Sequence, residues 1–268
     1  MSTTDSLKDA FFELGVVPDC PVYDLHGHMG PLGGASLPRC EPEQMVEAMQ
    51  RAGVRLTVFC HHATLFSPDI GNSVNIEAVR RFPKHFRAYC GVNANYPEEF
   101  EADLASFDDN ADVYVGFKFL ADYHKISIAD PACRPVWEFA NERELIVLAH
   151  TWGGSQFNGP GPVREVAETY PNVKFLLGHS CHGAWEEAAA LAAEFANVYL
   201  ELTAVLDDRG AVEIFVEQAG SEKIVFGTDT PWFNHHNYIG ALLGADISDD
   251  DRHNILHRNA EKLLAPFV

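Results

Sequence analysis

From about residue 21 onward, short runs of consecutive apolar residues alternate with longer stretches in which apolar positions return every three or four residues. The first pattern marks a strand buried on both faces, and the second a helix with one apolar side. Strands are predicted at residues 22–26, 55–60, 86–92, 113–119, 145–149, 174–177, 198–202 and 223–226. Helices are predicted between them at 43–52, 73–82, 97–107, 131–143, 162–170, 184–195 and 210–219, with closing helices at 238–243 and 248–264. Strands alternating with helices of this length build βαβ units and a parallel sheet. Eight units in one chain of roughly the usual barrel length, about 250 residues, predict a single, somewhat distorted (β/α)8 TIM barrel. No Gly-x-Gly-x-x-Gly turn follows the first strand, which argues against a dinucleotide-binding sheet. Residues 1–20 are read as an N-terminal extension whose helix, at 5–14, covers the bottom or side of the barrel domain at 21–268.

Five of the runs end in residues able to bind a metal or an anion. They close on Asp24-Leu25-His26-Gly27-His28, on Gly116-Phe117-Lys118, on His150, on Gly178-His179 and on Phe226-Gly227-Thr228-Asp229. In a parallel barrel, residues at the C-terminal strand ends converge on one mouth, where active sites are built. Asp24, His26 and His28 alternate along an extended segment, so His26 and His28 are expected to point the same way, into the barrel. Imidazole nitrogens suit zinc and similar divalent ions, and an aspartate adds an oxygen ligand.

At these residues the chain resembles the metal-dependent amidohydrolase superfamily, within it the branch of hydrolases and metal-dependent decarboxylases often labelled amidohydrolase 2. The resemblance spans nearly the whole chain and includes His150-Thr151-Trp152-Gly153, Gly178-His179-Ser180, Thr228-Asp229-Thr230-Pro231 and the tail Asn254-Ile255-Leu256 with Asn259-Ala260. It implies that His26, His28 and Asp229 bind a buried metal, which His150 joins unless it binds a second ion. Lys118 falls where two-metal members carry a carbamylated lysine bridging the ions; as an ammonium it would instead hold a substrate anion or form a structural ion pair. His179 is read as a ligand of a second ion, as the acid/base beside a single ion, or as a buried histidine satisfied by backbone. One or two divalent ions are expected, and the histidine-rich set favours zinc.

The activity implied is hydrolysis of an amide, ester or lactone bond of a small molecule by a metal-activated water. Asp229 would carry the nucleophile's proton to the leaving group, and the metal or His179 would stabilise the oxyanion. The alternative is non-oxidative decarboxylation of a small aromatic or unsaturated carboxylic acid, with His179 supplying the proton to carbon. A third reading, a barrel that binds without turnover, leaves a proton shuttle at Asp229 unexplained. Trp152, His61 and Trp232 are the expected substrate contacts, with Tyr123, His124, Cys181, His182, Glu201 and Thr203 on neighbouring loops. Decarboxylases of this branch hold the substrate carboxylate with an arginine, for which Arg39 and Arg209 are the candidates.

Composition narrows the partners. With 39 acidic against 19 basic residues the formal charge is -20, which repels phosphate backbones and anionic membranes. No apolar run approaches the roughly 18 residues of a membrane span, and the first residues lack a secretory pattern, so a cytoplasmic protein is expected. The six cysteines form no Cys-x-x-Cys pair and are read as buried free thiols, with Cys181, two residues after His179, the possible exception. A homo-oligomer is admitted, without an interface to point to.

Overall fold

The computed structural model describes residues 6–268. Eight parallel strands follow one another in sequence order: β1 (Val22–Met29), β2 (Val54–His61), β3 (Phe86–Gly91), β4 (Tyr114–Phe119), β5 (Ile146–Trp152), β6 (Lys174–His182), β7 (Val198–Glu201) and β8 (Ile224–Val225). The sheet closes on itself just past β8. There Leu25 N–H donates to Phe226 O (2.9 Å), Asp229 N–H to His26 O (2.7 Å) and His28 N–H to Thr230 O (2.6 Å). The barrel expected from the apolar pattern is therefore present.

Two apolar layers hold it. Inside the barrel, Leu25, Val58, Tyr89, Val115, Leu148 and Leu176 form a compact core that also takes in Ala260, Leu263 and Leu264 of the last helix. Outside, Phe59, Phe117, Trp137, Phe175 and Phe215 fill the space between strands and helices. Each fully buried Leu, Val or Phe stabilises the fold by roughly 1.5–3 kcal/mol. The last helix lies across the strand starts: Asn259 donates to Ser221 O and Ile224 O, and Arg87 at the start of β3 donates to Phe267 O. With that end closed, the strand C-termini are left as the mouth.

The N-terminal helix, Leu7–Leu14, is capped by the Ser6 hydroxyl and ends at Gly15 in the left-handed region (φ 76°). Phe11 packs it against His236 and Gly240 of helix His235–Gly244, on the side of the barrel. Asp5, the predicted first residue of this helix, lies outside the described residues. Other boundaries also differ: β1 and β6 run on to Met29 and His182, past the predicted 26 and 177, and helices change as well. The helix predicted at 73–82 begins earlier, at Pro68–Arg81, because proline suits the first helical turn. The closing helix predicted at 248–264 is broken by a π-helical turn at Asn254–Arg258 between helices Asp249–His253 and Asn259–Leu264.

Candidate metal centre

The first strand does not alternate strictly. Asp24 pairs with Thr57 while Gly27 pairs with Phe59, so β1 carries one extra residue, a β-bulge. The bulge lets Leu25 and His26 both reach the interior and turns Asp24 aside. Asp24 is fully buried and accepts from His26 N–H (3.0 Å), Thr228 N–H (3.1 Å), Thr228 Oγ1 (2.6 Å) and His235 Nε2 (3.0 Å). It clasps β1 to the segment after β8 rather than facing the mouth.

His26 and His28 have their tautomers set from behind. His28 Nδ1–H donates to the Cys60 carbonyl (3.0 Å), and His26 Nδ1–H donates to Glu201 Oε2 (2.7 Å). Each therefore presents the lone pair of Nε2 to the mouth. These two nitrogens lie 3.3 and 3.2 Å from Oδ1 of Asp229, a buried oxygen with no hydrogen-bond donor. Two imidazole lone pairs and a carboxylate oxygen thus converge, and the positive group that reaches them is Lys118, with Nζ 2.7 Å from Nε2 of His26. The three ligand atoms lie within 4.8 Å of one another, and their chemistry fits a divalent cation.

The groups around the set favour that reading. Burial, reinforced by Lys118, holds the His26 imidazole well below its usual range, so it stays neutral. Burial pushes the Asp229 carboxyl upward, while positive charge in the cluster of His26, His28 and His179 pulls it well below the usual carboxylate range, the pull a cation among neutral rings would supply. Glu201 is raised to about 7 by burial, opposed by hydrogen bonds from Thr203 and from the backbone of His179. All its contacts are donors: Thr203 N and Oγ1 on Oε1, and His179 N and His26 Nδ1 on Oε2. Gly227 makes the approach feasible, because a Cβ there would sit 2.8 Å from both Cδ of Glu201 and Cβ of His26.

Lys118, on β4, is fully buried with Nζ 2.7 Å from Nε2 of His26, the one donor on that lone pair. Burial lowers its pKa, while Asp229, Cys60 and Glu201 pull the other way. His150 and His179 stand together, ring centroids 4.6 Å apart, and His179 lies 5.0 Å from His26. Neither joins the tight three-ligand group. His150 Nε2 is 3.8 Å from Asp122, and Nδ1 of His179 is buried without a partner. His179, Ser180 and Cys181 are three successive residues in the left-handed region (φ 66°, 47° and 50°), uncommon for residues with side chains. The kink is held by Ser180 Oγ on Glu201 O and by Cys181 N–H on Thr151 Oγ1.

Above the set lies a cavity of about 230 Å3 walled by Leu65, Leu120, Tyr123, Trp152, Trp232 and Phe233. His28, His61, His62, His150, His179 and Asp229 are its histidine and carboxylate lining; among the described residues no lysine or arginine reaches it. Of the expected substrate contacts, Trp152, His61 and Trp232 all line it. Trp152 stacks on His150 (centroids 5.8 Å apart), and the Trp232 indole N–H donates to His62 Nε2 (3.0 Å). A larger groove, about 700 Å3, runs beside helices Arg134–Glu142 and Pro160–Thr169, away from the strand ends.

Several expectations need correction. Cys181 is no exception among the cysteines: it is fully buried in the outer apolar layer, and burial pushes its thiol up to about 12. Glu201 and Thr203 do not line the cavity but brace His26 from behind. Arg39 borders a neighbouring cleft and Arg209 is exposed, so neither reaches the cavity. His62, next to His61 in the sequence, also belongs to the site: its ring stacks on His28 (4.9 Å, 10°) with Nδ1–H donating to Gly30 O. The adjacent pair His61-His62 was its signal in the sequence.

Residues 23–265 match the amidohydrolase family model, and the chain belongs to that family. No curated protein matches the sequence. Among solved structures, an uncharacterized TIM-barrel protein of Bordetella bronchiseptica superposes with a TM-score of 0.78 at 18% identity, over 92% of this chain and 99% of its own. The 2,6-dihydroxybenzoate decarboxylase from Rhizobium gives 0.72 at 14%, over 92% and 98%. The 5-carboxyvanillate decarboxylase from Novosphingobium aromaticivorans, solved with manganese and 4-hydroxy-3-methoxy-5-nitrobenzoic acid, gives 0.70 at 12%, over 98% and 100%. At these identities the likeness is one of fold. No helix among the described residues is long and apolar enough to cross a membrane.

Proposed function

We propose that this protein is a metal-dependent, non-oxidative decarboxylase of a small aromatic carboxylic acid, working with a single divalent ion held by His26, His28 and Asp229. The observation that carries the metal is the convergence of two Nε2 lone pairs on the unpartnered Oδ1 of Asp229. Manganese is expected alongside zinc, since a decarboxylase of the same fold holds it. Two features favour decarboxylation: the aromatic and aliphatic walls of a cavity sized for one ring, and the recurrence of decarboxylases among the structural relatives.

The bound cation would act as a Lewis acid, anchoring and polarising the substrate oxygens. Trp152, Tyr123 and Trp232 would hold the ring and keep bulk water from the scissile carbon. The C–C bond to the carboxylate breaks, its electron pair stays on the ring carbon, and that carbon takes up one proton as carbon dioxide leaves. His179, with one ring nitrogen unpartnered, would take up a proton from solvent, pass it as the imidazolium to the ring carbon, and return to the neutral form that its burial favours. Asp229 stays ionised. Lys118, on the mouth-facing Nε2 of His26, would hold the imidazole in line.

The second reading, hydrolysis of a neutral ester or lactone, is favoured by one observation: no cationic side chain lines the cavity to receive a carboxylate. It pairs with a carbamylated Lys118 and a second ion near His150, for which the lysine's depressed pKa is a precondition. The experiment is to load the protein with manganese or zinc, determine ions per chain, and assay carbon dioxide release from hydroxylated benzoates against cleavage of aryl esters and lactones. Carbon dioxide release at about one ion per chain is the expected result. Ester or lactone cleavage at two ions, without carbon dioxide release, would replace the proposal with the second reading.

A further inference from the structure

A second set of metal-binding side chains lies at the opposite end of the barrel. Cys20 lies two residues before β1, His253 immediately precedes the π-helical turn Asn254–Arg258 near the C-terminus, and His257 lies within that turn. One ligand atom from each lies within 4.8 Å of the others. Cys20 is 1% exposed and both histidines are half-buried, so the set is sheltered yet open to an entering ion.

The hydrogen bonding orients these donors as a metal requires. His257 Nδ1–H donates to Glu261 Oε2 (3.2 Å), and its Nε2 accepts from His253 Nδ1–H (3.0 Å), a bond that an entering ion would replace by drawing the His253 proton to the other ring nitrogen. A carboxylate behind a histidine, fixing its tautomer, is the usual support of a metal-bound imidazole. Burial, with His257 and Arg258, keeps His253 neutral, so it too can offer a lone pair. The Cys20 thiol has only a long contact to Pro21 O (3.9 Å), and burial raises it to about 12, so without a metal it keeps its proton. The π turn widens the helix at the point where the two histidines must meet, and such turns recur at functional sites. Asp249, Asp250 and Glu261 outnumber Arg258 nearby, a balance that favours a cation.

We infer that Cys20, His253 and His257 form a second, structural metal site for a thiophilic divalent ion such as zinc, tying the segment before β1 to the C-terminal helix. Binding replaces the sulfur–hydrogen bond by a sulfur–metal bond and releases one proton to solvent; no redox change occurs. One sulfur and two nitrogens match the ligand preferences of zinc, with water completing the shell. The site lies at the strand starts, the end of a barrel associated with stability rather than catalysis.

The test is titration of the full-length, chelator-stripped protein with cobalt(II), followed by zinc(II). Sulfur-to-cobalt charge-transfer absorption reads the new site alone, because the set at the mouth contains no sulfur. The band is expected in the wild type, expected to persist in His26→Gln, absent in Cys20→Ser, and weakened with about tenfold lower affinity in His253→Gln and His257→Gln. Zinc should abolish the band and raise the melting temperature of His26→Gln but not of Cys20→Ser/His26→Gln. If Cys20→Ser does not fold, the two half-buried histidine variants carry the test. A wild type without the band, or a band unchanged in Cys20→Ser or in both histidine variants, would overturn the inference.

Discussion

Nδ1 of His26 lies 2.7 Å from Oε2 of Glu201, and both side chains are fully buried. That one bond decides which nitrogen of His26 faces the mouth. Replacing Glu201 with Gln keeps the shape but lets the side-chain amide turn an N–H toward His26 and removes the compensating charge. The variant is expected to bind its mouth metal about 10- to 100-fold more weakly. Competition of the purified variant against a chelating dye measures this; wild-type affinity would refute the bracing role.

His26→Ala and Asp229→Asn should separate ligation from chemistry. The first removes a lone pair and is expected to abolish mouth metal and activity together. The second keeps an oxygen but no charge, so part of the metal should stay while turnover falls about 10²-fold or more. An Asp229→Asn protein with full activity would remove Asp229 from the chemistry.

Gly227→Ala would push a methyl group against Glu201 and His26. Overpacking of this kind typically destabilises by about 1–3 kcal/mol. Here it should also displace His26, so chemical denaturation and metal binding should fail in parallel. A variant with lower stability but unaltered metal affinity would show that His26 is held by other contacts.

Acid should weaken the metal-free protein before it protonates most carboxylates. Burial lowers both His62 and His150 from 6.5 to about 4. Between those values the unfolded chain binds protons that the folded one does not, so stability is full above about pH 6.5 and falls as pH drops toward 4. Each residue contributes on the order of 3 kcal/mol across that window. Urea midpoints of chelated protein at about pH 7 and pH 4.5 check the sign, and His62→Phe should flatten the dependence.

The ligand-type residues were legible because each closes a local apolar run, and strand ends in a parallel barrel must meet. His26, His28, Lys118, His150, His179 and Asp229 needed no tertiary information to be gathered at one mouth. The bulge at Asp24 was not legible: an inserted residue leaves no mark on an apolar run, so strict alternation does not show that Asp24 turns aside while Leu25 and His26 both face inward. Glu201 is 175 residues from His26, and no local pattern pairs them. A signal existed all the same, since a carboxylate inside Tyr199-Leu200-Glu201-Leu202 interrupts a strand that is otherwise apolar. The π turn escaped because α and π helices bury nearly the same residues over one turn.

The clasp between Asp24 and Thr228 joins residues 204 positions apart, and the candidate ligands His26 and Asp229 stand on its two sides. An ion held there would act as a latch on one of the longest loops the chain has to close, where a crosslink restrains the unfolded ensemble strongly. Metal supply would then govern survival as well as turnover. Starved of its ion, the protein would keep its barrel but open more readily along this line, exposing the first and last strands to proteases.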